Sequence, residues 1–400
     1  MKRLFRIGSG ILVYPITPIL SWIVLSIIIG DSRISNVFSL TYAVQFLYLM
    51  LRAFFSSGGN VRKEKENNTN SVWNSIFWGV VFSVVLFSLL VVFVDDYILF
   101  FGQDVEFYRI YVIYGIALLF LQTLFSFIIE KLYFDDKEKT ANIHLFAFYL
   151  TSFVVLILST LLISNILTAL LVTLSILLVY IICLYVWQFE RFKIDFTFFK
   201  NFKYESANIV SSIFMMIIYL FGYRNAFSLG EEYLVVLNIV ALSTDPQWDM
   251  LEAVNTASKV DISKQRFQYK KLVCNSYMYV SILAISSIIM TLILSQTREV
   301  VMIPCLIYLG IQIIDMFLYT FEIIMSNFTQ LEYSPKLNTI IQFSLLGIRT
   351  IIATFLISPY CTEFAQLVNC ILGFTIYLII RFAKYKIVDN KLIVKQKAKE

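Results

Sequence analysis

Apolar stretches of about 20 residues recur from one end of this chain to the other, separated by short polar turns. A helix rising about 1.5 Å per residue needs a stretch of that length to cross a hydrocarbon core about 30 Å thick. The pattern predicts helices at about 8–30, 34–56, 71–94, 107–131, 142–164 and 166–189, then a charged connector over 190–204. Six more follow at about 205–228, 233–257, 271–294, 299–325, 337–358 and 363–385. A short basic tail, 386–400, is expected to be exposed or frayed. The expected architecture is an all-α polytopic membrane protein of twelve transmembrane helices. Its domains are a six-helix bundle over 1–189, the connector, a second bundle over 205–385 and the tail.

The halves echo each other. LLIS at Leu161–Ser164 closes the fifth predicted helix and FLIS at Phe355–Ser358 the eleventh, while Asn142 and Asn338 open them. SSGGNV at Ser56–Val61 has its counterpart in NTASKV at Asn255–Val260. The offset is a little under 200 residues each time, half the chain. Six helices is an even number, so the two repeats are expected to run parallel, related by an axis along the membrane normal.

Composition agrees: 59% of residues are hydrophobic and only 15% charged, with a mean hydropathy of +0.78, whereas soluble domains carry about 25% charged residues. The N-terminus runs straight into an apolar span ending at Gly30, too long for the core of a signal peptide. Charge placement orients the helices. With both termini in the cytoplasm, every lysine falls at or beside the inner side of a plasma membrane, and the outer loops carry Asp95, Asp96, Asp104, Glu106, Glu231 and Glu232. Arg33, Arg109, Arg224, Arg298 and Arg349 are left for the outer side or the membrane. The basic inner loops fit anionic membrane lipids and call for no nucleic acid. Cys183, Cys274, Cys305, Cys361 and Cys370 stand singly, and His144 has no second histidine, so no metal cluster or disulfide framework is implied. Walker, GxSxG, HExxH and dinucleotide signatures are absent, which argues against an enzyme and against ATP-driven pumping. No cofactor is expected beyond Na⁺ or H⁺ as a coupling ion.

The chemistry is expected around Ala241–Thr256, ALSTDPQWDMLEAVNT. Spacings of four and three put Asp245, Asp249 and Glu252 on one helical face. Pro246 is expected to interrupt that helix and free a backbone acceptor near Leu242. Each charge at membrane depth costs about 2.5–3.5 kcal/mol or more on insertion scales, so such groups usually face a polar interior. Gln312, Asp315 and Glu322 share a face of the tenth predicted helix, and Arg349 sits near the middle of the eleventh, where it would pair with Asp315 or Asp245. Arg224 lies toward the outer end of the seventh; the first half offers Gln45, Gln122 and Asn142. Pro15 and Pro18, in YPITP, are expected to bend the first helix. Trp22, Trp73, Trp78 and Trp187 suit lipid-interface belts.

YPITP in the first helix, the first outer turn GDSRISNVFSL, the passage KLYFDDKEKTANIH and the small, polar helix end AVNTASKVD together resemble the MATE and polysaccharide-flippase superfamily. That resemblance implies a V-shaped pair of bundles around a central cavity, with export from the cytoplasmic leaflet by alternating access. Members expel amphipathic drugs in exchange for Na⁺ or H⁺, or flip lipid-linked oligosaccharides. In the Na⁺-coupled branch, acids on the seventh and tenth helices bind the ion. Asp315 matches the tenth, whereas the seventh has only Glu205 at its start and the first helix has no acid. The expected coupling residues are Asp245, Asp249 and Asp315; the expected cavity residues are Glu252, Gln312, Arg349, Arg224 and Gln45. The expected partners are membrane lipids and an amphipathic organic cation or lipid-linked glycan. A major-facilitator carrier, or a non-transporting scaffold or intramembrane enzyme with its acids in packed helix contacts, are the alternatives.

Overall fold

The computed structural model describes residues 2–11, 13–163, 165–229, 231–297, 302–355, 361–388 and 390–395. Ser164, Arg298 and 356–360, where helix ends, an outer charge and a turn were expected, lie outside the described residues, as does the tail beyond 395. Ten helices among the described residues are long and apolar enough to cross a membrane. They coincide with ten of the twelve expected spans.

Both other expected spans take a different form. The first is two helices, α1 (Lys2–Ile11) and α2 (Val13–Ile29), the latter containing Pro18. The sequence KRLFRIGSGI is amphipathic rather than apolar: Leu4 and Ile7 are buried, and Arg6 and Ser9 are exposed. The second is Glu231–Ser263, which runs unbroken through Pro246. Proline removes one amide donor, but Ser243 and Thr244 each donate a side-chain bond to the Val240 carbonyl. Ser243 also meets Thr291 of the next helix at 2.6 Å. The helix stays whole around the proline, and these bonds tie its polar side chains to its own backbone and to the next helix.

The chain divides into two compact units, Val13–Arg224 and Met1–Leu12 with Asn225–Glu400. In the first, α3 (Val37–Glu66), α4 (Asn70–Val92), a short α5 (Val94–Phe100), α6 (Val105–Phe134), α7 (Glu138–Leu162) and α8 (Ile166–Gln188) precede α9 (Phe202–Leu229). The central helix is α6, packed by α3, α4, α7 and α8. Asp104 caps it by accepting from the amides of Glu106 and Phe107. Close approach needs a glycine: a Cβ on Gly79 would lie 2.8 Å from Phe127 and from Phe55. Trp22 and Trp73 are buried in this packing, and Trp78 donates to the Asp195 carbonyl at 2.8 Å. Of the four tryptophans expected at the lipid interface, only Trp187 stands exposed. His144 meets the Tyr180 hydroxyl at 2.7 Å, a packing contact between α7 and α8.

The expected connector is pinned to this unit. Asn70 and Asn74 exchange hydrogen bonds with Lys193 and Asp195. Buried Glu205 accepts from Ser57 at 2.8 Å and from Asn208 at 2.6 Å. These bonds tie the connector and the start of the following helix to the preceding helices, and the compact unit that contains them runs to Arg224.

Asp135, just beyond α6, binds Lys63 at 3.0 Å and Lys131 at 2.8 Å, and Lys131 also reaches Glu190 at 2.9 Å. Burial alone would raise the Asp135 carboxyl, but the two lysines outweigh it and hold it below the ordinary carboxylate range. A lowered carboxyl contributes stability fully above its unfolded pKa and loses it as pH falls through the folded value. Asp135→Asn should therefore lower the melting temperature at neutral pH and narrow the gap between neutral and acid melts. An unchanged gap would count against the cluster.

The second unit contains α1, α10 (Glu231–Ser263), α11 (Tyr269–Thr297), α12 (Met302–Phe328, extended to Tyr333), α13 (Pro335–Phe355) and α14 (Cys361–Lys384). The helix α12 packs against α10, α11 and α14, and α1 lies on α10, where Arg3 pairs with Asp261. Two short strands follow, β1 (Tyr385–Val388) and β2 (Lys391–Val394), so the chain is not purely α. They form an antiparallel hairpin in place of the expected frayed tail. Its Tyr385 and Leu392 are buried, and the Tyr269 amide donates to the Asn390 carbonyl at 2.9 Å.

Candidate functional site

The helix α12 crosses the second unit with one face of polar side chains. Gln312, Asp315, Glu322 and Ser326 stand three, seven and four residues apart, and all are buried. In a helix that spacing keeps the four along one side. The neighbouring helices answer with polar groups rather than with aliphatic packing, as buried polar atoms require.

Two linked clusters result. In the first, Gln312 and Gln366 of α14 form a reciprocal amide pair, with Nε2-to-Oε1 distances of 3.0 and 3.2 Å. The Gln366 amide also donates to Asp315 Oδ2 at 2.5 Å. On the far side, the Trp248 indole of α10 donates to Gln312 Oε1 at 2.8 Å, its ring set edge-on to Tyr319. The Arg349 guanidinium of α13 is close enough for its charge to act on the Asp315 carboxyl. Asp315 is only 6% exposed.

In the second cluster Glu322 accepts from Gln342 of α13 at 2.9 Å. Gln342 also donates to the Tyr377 hydroxyl, which donates in turn to Asn338 at 2.6 Å. Asn338 continues to Ser326 and Gln330. A Cβ on Gly373 of α14 would collide with the Glu322 carboxyl, so the absence of a side chain there makes room for the acid. A third bridge ties α10 to α12: Asn327 donates to Asn255 and Ser258, and Asn255 donates to Glu252 at 2.9 Å.

Of the residues singled out from sequence, the structure gathers Asp315, Gln312 and Arg349 at one place, with Glu322 two turns along α12. Glu252 joins the bridge to Asn255. Asp245 and Asp249 are half-buried on α10, flanking Trp248. Gln45 and Arg224 belong to the other compact unit; Gln45 is half-buried, and Arg224 is exposed with its guanidinium 4.8 Å from the Phe100 ring centre. Sequence reasoning missed Gln366, Trp248, Gln342 and Tyr377. A signal existed for the first: Glu363, Gln366 and Asn369 recur every third residue in an otherwise apolar helix, the spacing of a buried polar stripe. Among the described residues, no group of three or more His, Cys, Asp or Glu could hold a metal ion.

No family model and no curated protein sequence matches the chain. Solved structures do. A MATE protein carrying a proline-to-alanine substitution superposes with a TM-score of 0.70 at 16% identity, covering 94% of this chain and 95% of that one. The fold is that of a MATE transporter. A multidrug resistance MATE family transporter in an outward-facing conformation gives a TM-score of 0.65 at 14% identity, covering 94% of this chain and 93% of its own. A MOP superfamily transporter from Pyrococcus furiosus, described as having a binding pocket of reversed polarity, gives 0.67 at 14% identity, with 94% and 95% covered. The MATE fold thus extends over nearly the whole chain. At such identities the likeness fixes backbone architecture and leaves side-chain chemistry to be read from this protein's own residues.

Proposed function

We propose that this protein is a secondary-active exporter of an amphipathic substrate that works by alternating access and is driven by protons, with Asp315 as the group that gains and loses the proton. The observation that carries this is a carboxyl buried on a membrane-crossing helix, held by an amide and faced by an arginine. Ionisable groups at membrane depth are costly and mark ion or substrate paths. Their change of charge supplies the differential interaction needed to bias inward- against outward-open states. A proton suits the site better than Na⁺, because one carboxyl surrounded by amides offers a proton acceptor but few of the several oxygen ligands a metal cation takes. Asp245 and Asp249 are the further acids in this scheme, and Glu252, Gln312, Arg349, Arg224 and Gln45 the candidates for substrate contact. Twelve spans in two parallel repeats, with both ends in the cytoplasm of a plasma-membrane protein, fit the lysine distribution.

An organic cation is the favoured substrate, because the second unit's spans carry more buried or half-buried acids than arginines. Arg349 and Arg224 keep a pyrophosphate-linked lipid saccharide as the second reading. The MATE-like fold leaves no need for the major-facilitator alternative. In proteoliposomes, an imposed pH gradient should drive ethidium against its own gradient, and an equal Na⁺ gradient should not. Movement of a fluorescent polyprenyl-pyrophosphate saccharide instead would select the second reading. If neither probe moves under any gradient, the protein is no transporter and the buried acids serve packing.

A further inference from the structure

Among the described residues no hydrogen bond joins Trp248 directly to Asp315 or to Gln366, yet a chain of bonds runs from the indole to the carboxyl without a gap. An indole N–H can only donate, whereas a glutamine side chain has one accepting and one donating end. Trp248 Nε1 donates to Gln312 Oε1 at 2.8 Å, which fixes the carbonyl end of Gln312 toward α10. With that oxygen fixed as the acceptor, its amino group is the end that donates to Gln366 Oε1 of α14, at 3.0 Å. That contact fixes Gln366 in turn, so its amino end carries both remaining bonds, to Gln312 Oε1 at 3.2 Å and to Asp315 Oδ2 at 2.5 Å. Every donor meets an acceptor in one direction only; turning either amide over would put N–H against N–H at one end of the chain. We propose that Trp248 is the positioning residue for Asp315: acting through two amides, it holds a hydrogen-bond donor against Oδ2, a contact that is stronger to the carboxylate than to the protonated acid.

Geometry supports the chain's persistence. The indole is held edge-on by Tyr319, with ring centres 5.6 Å apart, and Gln312 and Gln366 are 6% and 7% exposed. Other charged or titratable groups also surround Asp315. Arg349 faces it from α13, Cys370 from α14, and Glu322 and Tyr319 share its own helix. Asp245, Asp249 and Glu252 lie on α10 and Glu363 on α14, so the test must isolate Asp315 from all of these.

Infrared difference spectroscopy of the bilayer-reconstituted full chain does so. A protonated carboxyl has its own C=O stretch, and the band that disappears in Asp315→Asn belongs to Asp315. Its midpoint should move to higher pH by about one unit in Gln366→Leu, the size expected from losing a hydrogen bond to a charged group. Trp248→Phe should move it the same way by less. The double variant should match Gln366→Leu alone, because Trp248 acts only through Gln366; independent effects would add. An unmoved midpoint in Trp248→Phe, or additive shifts, overturns the proposal. Melting curves identify a variant that fails to fold, and Gln312→Leu then serves as a second break in the same chain with the same expected shift as Trp248→Phe. The proposal rests on Asp315 taking up a proton, but the two ideas fail separately. Should Asp315→Asn accumulate substrate as the parent does while the infrared shifts appear as stated, the coupling role of Asp315 falls and the relay stands.

Discussion

Asp315→Asn is expected to abolish proton-driven accumulation of substrate while leaving the protein folded. Asparagine matches aspartate in shape, and its carbonyl can still accept the Gln366 amide proton at the place where Oδ2 accepts it at 2.5 Å. What it cannot do is change charge, and a group that does not change charge cannot favour one conformational state over another as pH changes. Couplings of about 1–3 kcal/mol correspond to about 5–150-fold, so accumulation under a pH gradient should fall at least roughly tenfold, to the level of passive leak. Exchange down the substrate's own gradient should survive. The arginine complicates the variant: with its neighbour neutral, Arg349 loses one of the charges that compensate its own buried charge, and that loss is destabilising in a membrane-spanning bundle. Combining Asp315→Asn with Arg349→Gln restores neutrality, and should recover thermal stability without recovering coupling. If Asp315→Asn concentrates ethidium as well as the parent, Asp315 is a packing residue.

Hydrophobic length was the most legible property of the sequence, and the reason is physical. A run of about 20 apolar residues has few alternatives to a membrane-crossing helix, and ten of the expected spans are helices in the structure. Reading failed where one residue's effect depends on neighbours far away. Pro246 reads as a break, yet packing of α10 against α11 and α12 keeps the helix whole. KRLFRIGSGI reads as the lead-in to a span, but its buried Leu4 and Ile7 show an amphipathic helix lying on α10. The tail contained a hairpin signal, IVDNKLIV, with two turn-forming residues between β-prone runs.

The site was half legible for a related reason. Asp315, Gln312 and Glu322 share one helix, so spacing alone put them on a face. Their partners do not: Gln366 is 51 residues from Asp315, and Trp248 is 64 from Gln312. Nothing local in the sequence chooses among the many polar side chains that could answer a buried acid. Arg349 could be anticipated because an unpaired charge in a membrane must find a partner. A glutamine carries no such obligation.

Arg62→Ala is expected to destabilise the first unit by about 3 kcal/mol, at the low end of the cost of breaking a buried ion pair. Arg62 is 1% exposed, and every bond its guanidinium makes is charge-assisted. It donates to the Thr197 carbonyl at 2.7 Å, to the Thr197 hydroxyl at 2.9 Å and to Glu66 Oε2 at 2.9 Å. Glu66 keeps a third of its side-chain exposure, so water can compensate for part of the loss, which is why the low end applies. Thr197 has less freedom, because its amide and hydroxyl both donate to Asp195. Those Thr197 bonds, with the Arg62 charge behind them, hold the half-buried Asp195 carboxyl below its ordinary range. Arg62 is therefore the anchor for the segment entering α9, and its loss should free that segment before the bundle itself melts. Arg191 and Lys193 are exposed on this stretch, so trypsin should cut the variant there several times faster than the parent. Arg62→Lys keeps the charge but not the planar fork that reaches Thr197 and Glu66 together, and should fall between the two. Equal cleavage rates and equal melting temperatures in Arg62→Ala and the parent would show that the segment is held by its asparagine contacts alone.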